Sequence, residues 1–205
     1  MICSPLVILG GTFDPPHLGH LQLLARLQGL WSESIEMTLL PTFQPVHKAK
    51  AQASVVQRTK MLQYFAEMAS VSVDWREIRA KRPCYTLDSL TQIRAEQAKQ
   101  RPIVFIMGGD SFSQLHHWHG YQQLLSLAHI LWFPRAGQAG ISGPQQHWPV
   151  AEPCHALSKP SGLLLHLQFC PSAIASSQIR QQPDLGYAWL PEPIFKYCQQ
   201  HRIYS

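Results

Sequence analysis

The sequence predicts a single α/β domain over residues 1–205, a doubly wound parallel sheet with helices on both faces, and three observations carry that prediction. Only 14% of the residues are charged, against about 25% in an average soluble protein, while 45% are hydrophobic. This balance excludes most disordered and coiled-coil folds. The length of 205 residues is ample for one real core. Short apolar runs without alternation recur along the chain, separated by segments whose apolar residues fall three and four apart, the alternation of buried strand and amphipathic helix.

In chain order, Leu6 to Leu9 reads as the first strand, and Leu18, Leu21, Leu24 and Leu27 mark the helix after it. Ile35 to Leu40 is the second strand. Val55, Met61, Leu62 and Phe65 form one face of the next helix, which leads to a third strand over Val71 to Trp75. Leu87, Leu90 and Ile93 precede the fourth strand, Ile103 to Met107. Tyr121, Leu124, Leu125 and Ala128 precede the fifth, Ile130 to Phe133. Residues 137–162 are rich in Gly, Pro, Gln and His and show neither period, so they read as an irregular surface excursion with room for a short helix. A strand over Leu163 to Phe169 follows. The chain closes on a helix opened by Pro191 and Pro193 and carrying Ile194, Phe195, Tyr197 and Cys198.

Five scattered cysteines with no C-x-x-C pattern indicate neither a disulfide framework nor a zinc ribbon, and so a reducing compartment. The apolar N-terminus lacks a basic lead and stops at Gly10-Gly11, which suits a strand and not an export signal. No stretch approaches the ~18 apolar residues needed to span a bilayer. A soluble, cytoplasmic protein with no membrane partner is expected. The 17 Lys and Arg outweigh 12 Asp and Glu, a net charge of +5, and 11 histidines can add to it at mild acidity. Anionic ligands follow, but the Lys and Arg are dispersed, with no basic run or stacking platform for a nucleic acid.

The most informative stretch is Gly10-Gly11-Thr12-Phe13-Asp14-Pro15-Pro16-His17-Leu18-Gly19-His20, directly after the first strand, where open α/β sheets bind ligands. Paired glycines allow close approach of a phosphate, and a helix starting near Gly19 aims N–H groups at the same place. His17 and His20 can face a bound anion together and stabilise charge that builds up during transfer. A solvated Pro-Gly turn is the bland alternative for such a pair; a metal pair lacks a third ligand at a familiar spacing. Neither G-x-G-x-x-G nor G-x-x-x-x-G-K-[ST] occurs, which removes hydride transfer and P-loop chemistry.

GGTFDPPHLGH resembles the first motif of the bacterial nicotinate-nucleotide adenylyltransferases, Rossmann-like members of the H-x-G-H nucleotidyltransferase superfamily. Later landmarks stand in the same order: Pro45 to Lys48, Tyr85 to Leu90, Gly108-Gly109-Asp110 with Leu115 and Trp118, Ile174 to Arg180, and Leu190 to Pro193 with Tyr197 and Ile203-Tyr204. The resemblance implies transfer of an adenylyl group from ATP, with Mg²⁺ held mainly by its phosphates, to nicotinate mononucleotide in NAD biosynthesis. It implies catalytic roles for His17, His20 and Lys48. It implies ATP contacts from Gly10, Gly11, Thr12, Phe13, Gly108, Asp110, Ser177, Ile179 and Arg180, and nicotinate-nucleotide contacts from Tyr85, Thr86, Trp118 and Arg135.

Several of these residues also have plainer readings. Lys48 is a flexible ammonium that could reach a triphosphate, or simply a surface lysine. Thr86 suits a helix N-cap with Asp88 in the first turn. Asp110 at a strand's carboxyl end could accept from ribose hydroxyls or cap a turn. Trp118 could stack on a nicotinate ring or pack in the core. Ser176 and Ser177 read as helix caps beside Arg180, a second anion clamp. Two positions depart from the family pattern, Ala175 where it has serine and Ala136 where Arg-Pro-Gly is common, so a degenerate nucleotide sensor stays open as an alternative. Pantetheine phosphate, nicotinamide mononucleotide or a polyol phosphate would be rival acceptors. His116, His117 and His119 have no role at this level; a metal site is disfavoured because consecutive loop residues point different ways.

Overall fold

A computed structural model describes the chain except residues 1–3, 32–33, 48, 135–147, 172–174 and 205, together with the side chains at 157 and 186. The element order is β1 (Leu6–Gly11), α1 (Leu18–Gln28), β2 (Glu36–Pro41), α2 (Val55–Ala69), β3 (Ser72–Val73), α3 (Arg76–Ala80), α4 (Thr86–Glu96) and β4 (Ile103–Gly108). After these come α5 (Gly109–Ser113), α6 (Leu124–Leu127), β5 (His129–Phe133), β6 (Val150–Ala151), β7 (Leu164–His166), α7 (Ser176–Gln181), α8 (Pro183–Gly186) and α9 (Glu192–Gln200). Among the described residues the sheet has the order β3-β2-β1-β4-β5-β7-β6, and every neighbouring pair is parallel.

Two cores explain why the strands show no alternation. Val7, Leu9, Val104, Ile106, Leu131 and Phe133 face one core, completed by Leu23, Leu24 and Leu27 of α1, Met61, Leu62 and Phe65 of α2, and Ile194 and Cys198 of α9. Leu6, Ile8, Ile103, Phe105, Met107, Ile130 and Trp132 face the other, against Leu90 and Ile93 of α4, Phe112 of α5 and Leu124 and Leu125 of α6. Successive side chains point to opposite sheet faces, and both faces are covered, so nearly every position is apolar.

The expected strands and helices are present, with shifted limits. β3 keeps only two of the residues from Val71 to Trp75: Asp74 N–H makes the last bond to β2, at Leu39 O, and Trp75 then caps α3. β7 ends at His166, and Leu167 N–H makes its last bond to β5, at Trp132 O. The stretch 137–162 is more than a surface excursion over its described part, residues 148–162. β6 extends the sheet edge, and a 3₁₀ turn at Pro153–Ser158 buries Ala156, while Trp31 Nε1–H donates to Pro153 O at 2.9 Å. His129, fully buried, pins this return. Its Nδ1 accepts from Leu163 N–H at 3.1 Å, which leaves the proton on Nε2 to donate to Lys159 O at 2.9 Å, and burial lowers its pKa.

Gly10 matters to the floor of this sheet. A Cβ there would lie 2.6 Å from Cζ of Phe105 on the neighbouring strand. Gly10→Ala is expected to destabilise the fold by about 1–3 kcal/mol through overpacking, and pairing it with Phe105→Leu should recover part of that loss in urea melts.

Candidate active site

The strand order reverses direction between β1 and β4, and a cavity of about 630 Å³ opens at the carboxyl ends of the strands there. Its floor is Leu9, Gly10, Gly11, Leu40, Phe105, Met107 and Gly108. Elements from opposite faces of the sheet meet above it: His20 of α1 and Ser176, Ser177 and Arg180 of α7 from one side, Tyr85, Thr86, Asp110 and Trp118 from the other. Thr12 and Phe13 also line it. Phe13 holds a left-handed φ of 51°, unusual for an aromatic residue, and is fixed by burial and by its ring against His20 at 5.3 Å.

The two histidines do something the sequence did not suggest. His17 is itself the N-cap of α1, and its Nδ1 accepts from Gly19 N–H at 3.1 Å. His20 Nδ1 reaches back to accept from His17 N–H at 3.2 Å, a capping box made of imidazoles. Two consequences follow. Two of the N–H groups at the helix start, those of His17 and Gly19, are already engaged by the rings. Each neutral ring must also carry its proton on Nε2, a donor of fixed tautomer. His17 is buried and off the cavity wall, 3.9 Å from the His20 ring, so it supports His20 instead of facing the cavity beside it.

Asp14 is the hub beneath the motif. Its carboxylate is 2% exposed and accepts from Gln52 N–H at 2.8 Å, Ala53 N–H at 3.1 Å and the Tyr204 hydroxyl at 2.7 Å. Arg180 Nη1 lies 3.6 Å from it and donates to Asp14 O at 2.7 Å. Burial and the Asp14 charge push the Tyr204 hydroxyl far above its ordinary pKa. Arg58, also 2% exposed, donates from Nη1 to Thr12 O and Thr42 O, both at 2.8 Å, and from Nη2 to Phe43 O at 2.6 Å. It ties the loop after β1 to the loop after β2.

Neither serine caps α7. The N-cap is Ala175, which has no acceptor; Gln178 Oε1 accepts from Ala175 N–H at 2.7 Å, and Ser176 Oγ donates to Pro15 O at 2.9 Å. Tyr85, not Thr86, is the N-cap of α4, and its side chain makes no capping bond. The Ile179 side chain is fully buried in the core of α1 and α2, away from the wall. Lys48 and Arg135 lie outside the described residues. Among the described residues no group of three His, Cys, Asp or Glu side chains could hold a metal ion.

Glu77 is an unforeseen neighbour. Its carboxyl is buried on the cavity wall, where Oε1 accepts from Ser89 Oγ at 2.7 Å and Oε2 has no partner among the described residues. Burial, more than the nearby Asp74, raises its pKa from 4.5 to about 7. A raised carboxyl favours the fold fully below its unfolded value and loses that contribution as pH climbs through 7. Glu77→Gln should therefore gain about 2–3 kcal/mol over the parent at pH 8 and nothing at pH 4, read as the difference between paired urea melts.

Arg58 and Asp14 each left a signal. Arg58 falls at the position three and four residues before Met61 and Leu62, a charge on an apolar helix face, and Asp14 stands inside the motif.

The cytidylyltransferase-like family model matches residues 8–182. A protein of Hahella chejuensis named probable nicotinate-nucleotide adenylyltransferase is 35% identical over 98% of this chain and 96% of its own. One of Cellvibrio japonicus with the same name is 36% identical over 97% and 98%. Among solved structures, the Plasmodium falciparum nicotinic acid mononucleotide adenylyltransferase complexed with NaAD superposes with a TM-score of 0.73, covering 98% of each chain at 15% identity, a likeness of fold. With the whole chain aligned and the motif at the crossover of the sheet, this protein belongs to the cytidylyltransferase-like family and, within it, to the nicotinate-nucleotide adenylyltransferases.

Proposed function

We propose that the chain joins ATP and nicotinate mononucleotide to give nicotinate adenine dinucleotide and pyrophosphate, with both nucleotides held in the one cavity at the β1–β4 crossover. The observation that carries this reading is the make-up of that cavity. Cationic and imidazole groups, Arg180 and His20, enter it from one sheet face, and an aromatic, weakly polar set, Tyr85, Thr86 and Trp118, enters from the other. A triphosphate suits the first group and a pyridine ring the second.

An oxygen of the mononucleotide's 5′-phosphate attacks the α-phosphorus of ATP. The bond from that phosphorus to the bridging oxygen breaks, and pyrophosphate departs with the electron pair. No protein nucleophile is needed, because both partners are already activated; the task is to hold two anions in line and offset their repulsion. His20, its Nδ1 tied to His17 N–H, offers Nε2–H to charge building on the phosphoryl oxygens. Arg180, anchored on Asp14, supplies a fixed positive charge. Lys48 adds a second. The glycines at 10, 11 and 108 with Thr12 and Phe13 shape the ATP side, and Asp110 and Ser177 offer acceptor and donor groups for ribose and adenine. Ile179 contributes through its backbone. Arg135 serves the mononucleotide. Mg²⁺, arriving on the triphosphate, would lower the charge on its oxygens.

No helix among the described residues is long and apolar enough to cross a membrane. Free thiols at Cys84, Cys154, Cys170 and Cys198 suit work in the reducing cytoplasm.

The test is pyrophosphate release from ATP with nicotinate mononucleotide, side by side with nicotinamide mononucleotide. Turnover with the acid form well above the amide is expected. Release with neither would overturn the reading.

A further inference from the structure

Two nucleotides bring a triphosphate and a monophosphate into one cavity, and the charge on its wall does not match them. Among the described residues that wall carries the carboxyl groups of Asp14, Glu77 and Asp110 against the cations Lys50 and Arg180. Arg180 is already committed, with Nη1 3.6 Å from the Asp14 carboxylate and donating to Asp14 O at 2.7 Å. Much of its charge is offset before any substrate arrives. Lys50 differs: its side chain is exposed on the loop after β2, lines the cavity, and has neither an ion pair nor a hydrogen bond among the described residues. The backbone just beyond it is fixed. Gln52 N–H and Ala53 N–H donate to the two Asp14 carboxylate oxygens at 2.8 and 3.1 Å, and Ser54 then opens α2 with a capping box closed by Gln57. One carboxylate thus holds both Arg180 and the segment that carries Lys50.

We infer that Lys50 binds the terminal phosphates of ATP, the pair that leaves as pyrophosphate, as a cation working beside Arg180. The inference rests on the adenylyl transfer proposed above. The family landmark in this loop, Pro45 to Lys48, ends before Lys50, so the resemblance gives it no role. The choice of phosphates follows from position. The α-phosphorus has to sit where the two nucleotides meet, beside the half-buried His20, while the leaving group has to face the way out to solvent, where Lys50 is exposed. Asp14 places Lys50 on the Arg180 side of the cavity, which suits the triphosphate. An ammonium on a flexible four-carbon stem can follow phosphates that move, because it binds as a point charge and needs no fixed angle. It holds the terminal phosphates as well before the displacement as after it. Its contribution therefore falls on binding and not on turnover.

The experiment is steady-state kinetics of Lys50→Ala, Lys50→Gln and Lys50→Arg against the parent enzyme, with ATP and nicotinate mononucleotide varied in turn and pyrophosphate added as product inhibitor. Lys50→Ala and Lys50→Gln should each raise KM for ATP at least about fivefold and weaken inhibition by pyrophosphate by a similar factor. Their kcat and their KM for the mononucleotide should stay within about twofold. Lys50→Arg, which keeps the charge, should return KM for ATP to within about threefold of the parent. Added salt should raise KM for ATP more steeply in the parent than in Lys50→Gln. Any other pattern overturns the assignment: a smaller rise in KM for ATP, a loss that falls on the mononucleotide, unchanged inhibition by pyrophosphate, or an arginine variant no better than glutamine. The position is exposed, so folding should be intact, which a melting curve checks. If the parent itself releases no pyrophosphate with either mononucleotide, the functional reading fails; if the parent turns over and Lys50→Ala matches it, only the role of Lys50 fails.

Discussion

His20→Ala should lower kcat by roughly 10²–10³ while leaving the KM of both nucleotides within a few-fold, the pattern of a donor that acts on developing charge more than on the ground state. The same change removes the acceptor for His17 N–H and so costs the cap of α1, about 1 kcal/mol. These two effects separate with His20→Gln, because glutamine is a natural third residue of a capping box. Its melting temperature should return to that of the parent. Its turnover should remain at least tenfold down, since the amide is a weaker donor held in another place. Equal recovery of stability and rate by glutamine would mean that His20 acts only by closing the helix.

Asp14→Ala is expected to destabilise the protein by about 3–5 kcal/mol in urea denaturation. Removing the carboxylate strands the Gln52 and Ala53 N–H groups, the Tyr204 hydroxyl and the Arg180 guanidinium at once. Tyr204→Phe deletes one of those contacts and leaves the carboxylate with three partners, so it should cost about 1–2 kcal/mol. The double variant should cost far less than the sum of the two, as one network is lost only once. A sum of independent effects would show that the hub is not a unit. Activity should fall in Asp14→Ala beyond the loss of stability, because among the described residues Arg180 then keeps the Asp14 carbonyl alone to aim it.

Much of the architecture was legible because burial on both sheet faces leaves a plain mark, unalternating strands such as Ile103 to Met107 between helices of 3.6-residue period. What escaped is short. α3 and α5 have five residues each and β6 has two, too few for any period to show. Caps failed where an uncommon residue took the position: Tyr85 begins α4 and Ala175 begins α7, in place of the hydroxyl residues beside them, and His17, an unusual cap, begins α1. At the site, the motif marked the correct place but assigned its parts too directly. Gly10 is required by the Phe105 ring against it, and the His17 and Gly19 N–H groups serve the histidine rings. Asp14, Arg58 and Tyr204 act through contacts between residues 38 to 190 positions apart or through backbone carbonyls, which no local pattern encodes.

The central claim is that the acceptor phosphate displaces pyrophosphate directly, with the chain supplying position and charge and no covalent intermediate. Turnover of ATP carrying a chiral α-phosphorothioate with nicotinate mononucleotide tests it. The account predicts inversion of configuration at the α-phosphorus in the dinucleotide product; retention would require two displacements through a group on the protein and would contradict it.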